Sequence, residues 1–170
     1  MSMTHYMELL TSPMNLLLFM AIPVVLAETL AITEFYILYN NAKSGPVRAL
    51  NRAAGIAVGI YFLGVFVYLM LNAVLPISQA GQWRGWIDVL AVGAYLAGVV
   101  PLGGIALLEL GVIFKNADFR QKLAVHAALI SLFLVVGHVA MVFGMVDPRL
   151  GGWSGAPAAA GQPAMSHGSH

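Results

Sequence analysis

Four apolar stretches, each long enough to cross a lipid bilayer as a helix, constrain this chain most strongly. They run from Met14 to Tyr39, from Ala53 to Pro76, from Ile87 to Phe114 and from Leu123 to Val146. A helix needs about 20 apolar residues to span the hydrocarbon core of a membrane. The stretches occupy most of the 170 residues, and 60% of the chain is hydrophobic. The sequence therefore predicts an all-α integral membrane protein in contact with the lipid bilayer.

Basic residues gather in the first and third connections between these stretches. The six residues found there are Lys43, Arg48, Arg52, Lys115, Arg120 and Lys122. Only Arg84 and Arg149 fall on the opposite side of the membrane. By the positive-inside rule the two basic connections lie in the cytoplasm, which places both termini in the periplasm of a bacterial inner membrane. Because the connections are short, we expect an antiparallel up-down four-helix bundle.

The distribution of residue types divides the chain into three parts. Residues 1–13 form a periplasmic segment that contains Met and His, and residues 14–147 form the transmembrane domain. Residues 148–170, which are rich in Gly, Ala, Pro and Ser, are expected to form a flexible periplasmic tail. The start of the chain lacks Lys and Arg, and Glu28 and Glu34 interrupt the first apolar stretch, so we do not expect a cleavable signal peptide.

An inner layer of ionisable residues is predicted near the cytoplasmic ends of three helices. Glu34, Glu109 and His126 lie at similar depths, and Glu28 lies nearly two turns closer to the bilayer centre. Carboxylates and an imidazole on separate helices are typical of metal sites in bundle cores. The same residues also suit a hydrogen-bonded network that sets helix register, or a proton or cation relay. This inner core is thus a candidate site for a second cation or a proton.

An outer group of Met and His residues favours copper. His138, Met141 and Met145 recur at i, i+3 and i+7 and share one face of the fourth helix. Residues of the same two types on the periplasmic side are Met1, Met3, His5 and Met7 in the first segment and Met165, His167 and His170 in the tail. Imidazole together with thioether selects Cu(I). We therefore expect a copper site built from His138, Met141 and Met145 and closed by His5, Met3 or Met7, although methionine also fills gaps in cores.

Haem b is an alternative ligand for the histidines. His126 and His138 are separated by ~18 Å along one helix, so they cannot be the two axial ligands of one haem. A haem held by His138 with Met20 or Met70 stays open. The chain would then be a b-type electron carrier.

A third alternative is an accessory subunit of a larger membrane complex, such as a respiratory or metal-dependent oxidase, with a purely structural polar core. The chain could instead associate with further copies of itself as a homo-oligomer. The sequence contains no phosphate-binding glycine loop and no HExxH, so binding or transfer is expected rather than catalysis. Without cysteine there is no disulfide or thiolate metal site. The basic residues are too sparse for nucleic-acid binding.

Glycine and proline residues predict local features of the helices. Gly55 and Gly59 form a GxxxG pair, and Gly64 extends this set of small residues. Such residues permit close helix contact in membranes. Pro23 and Pro101 each remove a backbone hydrogen bond, so we expect both helices to be kinked there.

Two stretches resemble a small family of uncharacterised bacterial inner-membrane proteins with four helices, described at most as permeases. They read AETLAITEFYILYNNAKSGPVRALNRAAGIAVGIYFLGVF and HVAMVFGMVDP. The resemblance covers the four apolar stretches and the MTHYMELL start but not the tail. It implies a four-helix membrane fold and brings no substrate.

Overall fold

The computed structural model describes residues 3–155, which are all-helical apart from turns and connections. Four of its helices are long and apolar enough to cross a membrane. The helices are α1 (His5–Leu10), α2 (Pro13–Asn40), α3 (Pro46–Gln79), α4 (Trp86–Glu109) and α5 (Phe119–Met145). The prediction of an all-α protein with four apolar helices of membrane-spanning length is therefore confirmed.

Helix ends differ from the predicted ones where polar residues continue or stop a helix. α3 starts at Pro46 rather than Ala53, because proline is well suited to the first helical turn and the first turns tolerate basic residues. α4 stops at Glu109 because the chain turns at Gly111, which has a φ of 73°. α5 starts at Phe119 because Asp118 forms a capping box there.

Large apolar side chains cover the outside of the long helices. Examples with their exposed fractions are Ile32 70%, Phe35 72%, Ile60 62%, Val100 67% and Val135 60%. Apolar surface on this scale marks contact with another apolar phase. Together with the lengths of the helices, it indicates a multi-pass membrane protein.

The long helices pack side by side around one core. α3 contacts both α2 and α4, and α5 contacts both α4 and α2. Leu30, Val58, Phe62, Leu102 and Ile105 have no exposed surface at the centre of these contacts. The N-terminal helix α1 packs against α4 and α5.

The proline residues coincide with irregular turns. π-helical turns precede Pro23 and Pro76, and α4 is interrupted at Gly98, three residues before Pro101. α2 comprises Pro13–Leu16, the π segment Leu17–Ala21 and Ile22–Asn40; α3 comprises Pro46–Leu69, the π segment Met70–Val74 and Leu75–Gln79; α4 comprises Trp86–Ala97 and Val99–Glu109.

Neighbouring helices satisfy the backbone carbonyls around Pro23. Since Pro23 has no N–H, the carbonyl of Phe19 lacks its usual helical donor. The hydroxyl of Tyr95 donates to this carbonyl, and the hydroxyl of Tyr61 donates to the carbonyl of Leu18 at 2.8 Å. The irregular turn in α2 is therefore tied to α3 and α4.

After α5 the chain forms a short turn, Pro148–Gly151, in which Pro148 is buried. A Cβ at Gly151 would lie 2.8 Å from Cδ1 of Ile87, so this turn packs against the start of α4. The first part of the predicted tail is thus packed on the helices. Residues 1–2 and 156–170, including Met1 and the tail residues Met165, His167 and His170, lie outside the described residues.

The predicted packing glycines have different environments. A Cβ at Gly59 would lie 2.4 Å from Cβ of Ala106 and 2.6 Å from the carbonyl oxygen of Leu102, both on α4. A Cβ at Gly64 would meet nothing within 4 Å. Gly59 therefore permits close contact between α3 and α4, whereas Gly64 has no such role within the described chain.

Replacing these two glycines provides a matched test of the helix contact. Gly59→Ala should lower the free energy of unfolding by about 1–3 kcal/mol, because the new methyl group meets backbone atoms. Gly64→Ala should leave it unchanged or slightly raised, since alanine favours the helix. Unfolding in mixed detergent micelles measures both, and equal effects would contradict the assigned contact.

Candidate functional site

A buried imidazole lies between two buried carboxylates near one end of the long helices. His126 on α5 places Nδ1 2.9 Å from Oε2 of Glu34 on α2, and Nε2 3.7 Å from Oε1 of Glu109 on α4. The exposed fractions are 1% for His126, 3% for Glu34 and 8% for Glu109. Each ring nitrogen therefore has its own carboxylate neighbour.

These contacts are close in distance but are not directed hydrogen bonds. Both ring nitrogens of His126 and Oε1 of Glu34 lack a hydrogen-bond partner among the described residues. The distance of 2.9 Å between Nδ1 of His126 and Oε2 of Glu34 is short enough for a hydrogen bond, so it is the angle at the ring nitrogen that is unsuitable. Leaving a buried polar group without a partner costs about 1–3 kcal/mol. The imidazole therefore lies within reach of both carboxylates without a saturated hydrogen bond to either one.

Two polar residues of α3 complete the cluster. The Arg48 guanidinium lies 3.1 Å from Oε1 and 3.2 Å from Oε2 of Glu109, and it donates to Oδ1 of Asn51 at 3.0 Å. The Asn51 amide donates to the Thr33 hydroxyl at 2.8 Å and to Oε2 of Glu34 at 3.3 Å. A continuous polar chain thus runs from Arg48 to both carboxylates.

An open recess connects this cluster to the basic end of the molecule. Its volume is about 830 Å³, and Glu109 and Arg48 form part of its wall. The other charged residues lining it are Lys43, Arg52 and Lys122. Residues from the α2–α3 and α4–α5 connections both contribute, so these two connections lie at the same end. The recess gives Glu109 a route to water.

The structure brings together three of the four predicted inner residues. Glu28 is exposed on α2 and lines a different cavity. Arg48 and Asn51 are not among the predicted site residues, because they precede the apolar stretch that begins at Ala53. Their i, i+3 spacing at the start of a helix was the available signal.

The second cavity, of about 170 Å³, contains part of the predicted outer group. His138 and Met141 of α5 line it with Met20 and Glu28 of α2. Nδ1 of His138 lies 2.6 Å from the Leu134 carbonyl oxygen, which can only accept, so Nδ1 donates. In the neutral ring Nε2 then carries the lone pair and is available to a proton or a metal.

The other predicted outer ligands do not line this cavity. The exposed fractions of Met145 and Met3 are 63% and 49%, and Met7 packs against the apolar core. Nδ1 of His5 lies 2.5 Å from Oδ2 of Asp88. His5 therefore has a carboxylate partner rather than a thioether one.

Asp88 holds α1 against the start of α4. It accepts hydrogen bonds from the backbone N–H of His5 at 2.7 Å and of Arg84 at 3.1 Å. Arg84 also binds Glu8 at 2.6 Å and the carbonyl of Met3. Asp88 is not among the predicted site residues, although it lies inside the third apolar stretch and is completely buried.

Within residues 3–155, no group of three His, Asp or Glu side chains is placed to hold a metal ion. The geometry of His126 gives the reason for the inner cluster: its two nitrogens point away from each other toward different carboxylates, so one ion cannot bond to all three side chains. Binding of copper or haem b, and membership of a larger complex, stay predictions.

The fold and the cluster define a class: a multi-pass helical membrane protein with ionisable side chains buried between its helices. Within this class, the chain belongs to the Family of unknown function DUF6803, whose sequence model matches residues 1–160. The resemblance to an uncharacterised family is thus confirmed. No curated protein and no solved structure matches the chain.

Asn51 should stabilise the protein through this cluster. Asn51→Leu leaves Arg48 and Thr33 with fewer partners in a buried site, and should lower the free energy of unfolding by about 1–3 kcal/mol. Asn72, also on α3, is exposed and donates only to the Tyr68 carbonyl, so Asn72→Leu is the matched control. Unfolding in detergent micelles should separate the two variants, and a smaller loss for Asn51→Leu than for Asn72→Leu would refute this role.

Proposed function

We propose that this protein binds and transfers protons within the membrane through Glu109, His126 and Glu34. The observation that carries the proposal is the buried imidazole with one nitrogen toward each carboxylate. An imidazole can accept a proton at one nitrogen and release another from the other. Intramembrane Glu and His residues are the usual components of proton relays.

The relay starts at the recess and passes through His126 to Glu34, from which the proton continues toward the other side of the membrane. A proton taken up by Glu109 moves to Nε2 of His126, so that the O–H bond breaks as the N–H bond forms. The resulting imidazolium releases its Nδ1 proton to Glu34, and the ring returns to its neutral form as the other tautomer. Side-chain movements must close the 3.7 Å gap at Nε2 and align Nδ1 with Oε2 of Glu34, because direct transfer needs a hydrogen bond of about 2.6–3.2 Å.

The charges in the cluster favour a proton over a divalent metal ion. Arg48 offsets the charge of Glu109, and Glu34 with His126 is neutral when the two share one proton. A buried group of ionisable residues is least costly when its charges cancel. A divalent ion bound to both carboxylates beside Arg48 would leave a net positive charge in a low-dielectric site.

We propose further that the four helices cross a bacterial inner membrane in up-down order, with both termini in the periplasm. The basic residues of the α2–α3 and α4–α5 connections support this orientation. The recess beside Glu109 then opens to the cytoplasm, and the part of the relay from Glu109 to Glu34 lies in the cytoplasmic half of the membrane.

Proton flux into liposomes tests the relay. Purified protein is reconstituted with a trapped pH-sensitive dye, and a potassium diffusion potential drives proton entry. His126→Gln should reduce the initial rate by about tenfold or more, because the amide cannot exchange protons between the two carboxylates. Glu34→Gln should have a similar effect.

Glu8→Gln is the matched carboxylate control, since Glu8 is exposed and lies away from the relay. It should keep the wild-type rate. Equal flux in wild-type and His126→Gln liposomes, or no protein-dependent flux at all, would refute the relay.

A second candidate function is binding of a transition metal, with copper as the expected ion, at the outer cavity. The observation that favours it is that His138, Met141 and Met20 line one cavity with Glu28. Imidazole and thioether ligands are the donors that suit Cu(I). This site has a different position and ligand set from the relay, so the two functions can be tested separately.

Copper binding should depend on His138. Detergent-purified protein is equilibrated with Cu(I) against a competing chelator, and we expect about one ion per chain for the wild type. His138→Ala should abolish binding and Met141→Leu should weaken it. Met145→Leu should have no effect, because Met145 does not line the cavity.

The terminal residues His167 and His170 are replaced by alanine in every sample to remove binding by the tail. Copper retained in full by His138→Ala under these conditions would eliminate the outer site.

A further inference from the structure

Glu28 is an acidic residue in the membrane-spanning part of α2 that has no partner. It lies near the middle of the helix and is exposed. Within residues 3–155 it forms no hydrogen bond or ion pair. Carboxyl groups at this depth normally face the protein interior and pair with another group. Within the described residues, the Glu28 carboxyl group therefore lacks the partner that its depth in the membrane requires.

Two features of α5 next to Glu28 indicate what kind of partner it has. His138 lines the same cavity, is exposed, and has Nε2 free because Nδ1 donates to the Leu134 carbonyl. A Cβ at Gly137 would meet nothing within 4 Å, so no neighbour in the chain requires a glycine there. Small residues on lipid-facing helices permit close approach of another helix. We refer to Glu28, Gly137, His138 and Met141 as the outer patch.

We propose that a second copy of this chain covers the outer patch in a two-fold symmetric dimer, in which Glu28 pairs with the partner subunit's His138. In a two-fold interface the same patch lies on both subunits. Glu28 of each subunit therefore meets the partner subunit's His138, and the pair forms twice. An acid and a base side by side on one patch meet this condition. Either protonation arrangement forms a hydrogen bond, since Glu28 and Nε2 of the partner subunit's His138 share one proton.

The surroundings of the patch fit a contact within lipid. The neighbouring side chains Val25 and Val135 are 59% and 60% exposed and apolar. Apolar contact alone does not drive association in a bilayer, because lipid tails are equally apolar. The polar pair and the close approach at Gly137 therefore supply the specificity.

Cross-linking in liposomes tests where the copies meet. The chain has no cysteine, so a single introduced one reports alone. Met141→Cys, one turn from His138, should give a cross-linked dimer with a short bismaleimide. Leu132→Cys is the control, because Leu132 is exposed on a different side of α5 and should remain monomeric.

Exchanging the acidic and the basic residue of the pair between two variants tests the pairing itself. Glu28→His and His138→Glu should each associate with themselves about tenfold more weakly than the wild type, because like groups then meet twice. Mixed together, they should associate with wild-type strength, since each copy supplies what the other lacks. Energy transfer between dyes on Ser44→Cys, placed in the exposed α2–α3 connection, measures all three combinations.

Two results would overturn the dimer. One is equal cross-linking of Met141→Cys and Leu132→Cys, and the other is a mixed pair as weak as the two separate variants. A purely intramolecular role of Glu28 predicts no gain on mixing. Neither result bears on the relay, because Glu28 and His138 take no part in the transfer between Glu109 and Glu34. Cu(I) bound at Nε2 of His138 would compete with the dimer pair, so the association experiments use copper-free protein.

Discussion

Ionisable groups inside a lipid bilayer must be neutralised by one another, and the arrangement of the long helices depends on this requirement. Each of the four contributes to the buried cluster: Glu34 comes from α2, Arg48 and Asn51 from α3, Glu109 from α4 and His126 from α5. Sliding any one helix by a turn would separate its side chain from the others. The cluster therefore sets the relative height of all four helices, while apolar packing alone would allow several heights.

Small residues of α3 lie where its contact with α4 adjoins the polar cluster. A Cβ at Gly55 would lie 3.0 Å from Cγ2 of Ile105, 3.5 Å from Cγ of Glu109 and 3.7 Å from Nε2 of His126. The tight contact at Gly55 is thus with Ile105, while the Glu109 side chain and the imidazole lie at ordinary contact distance. Gly55 and Gly59 therefore let α4 approach α3 directly beside the polar cluster.

Hydropathy and depth along each helix predicted the four helices and the common layer of Glu34, Glu109 and His126. Rotation about the helix axes was harder to predict. A helix such as α2 is apolar nearly all round, so its sequence carries little information on which side faces the core. Glu28 was therefore grouped with the inner residues, although it lies outside the cluster. The pairing of His5 with Asp88 depends on how α1 folds back onto α4, which no local pattern encodes.

One exchangeable proton shared by Glu34 and His126 is the central feature of the cluster, and infrared difference spectroscopy of the protein in lipid tests it most directly. Among the carboxylic C=O bands that appear on changing the pH, one should be absent in Glu34→Gln and altered in His126→Gln, while Glu8→Gln should retain this band and lose only that of Glu8 itself. A set of pH-dependent bands that Glu34→Gln leaves intact would contradict proton binding between Glu34 and His126.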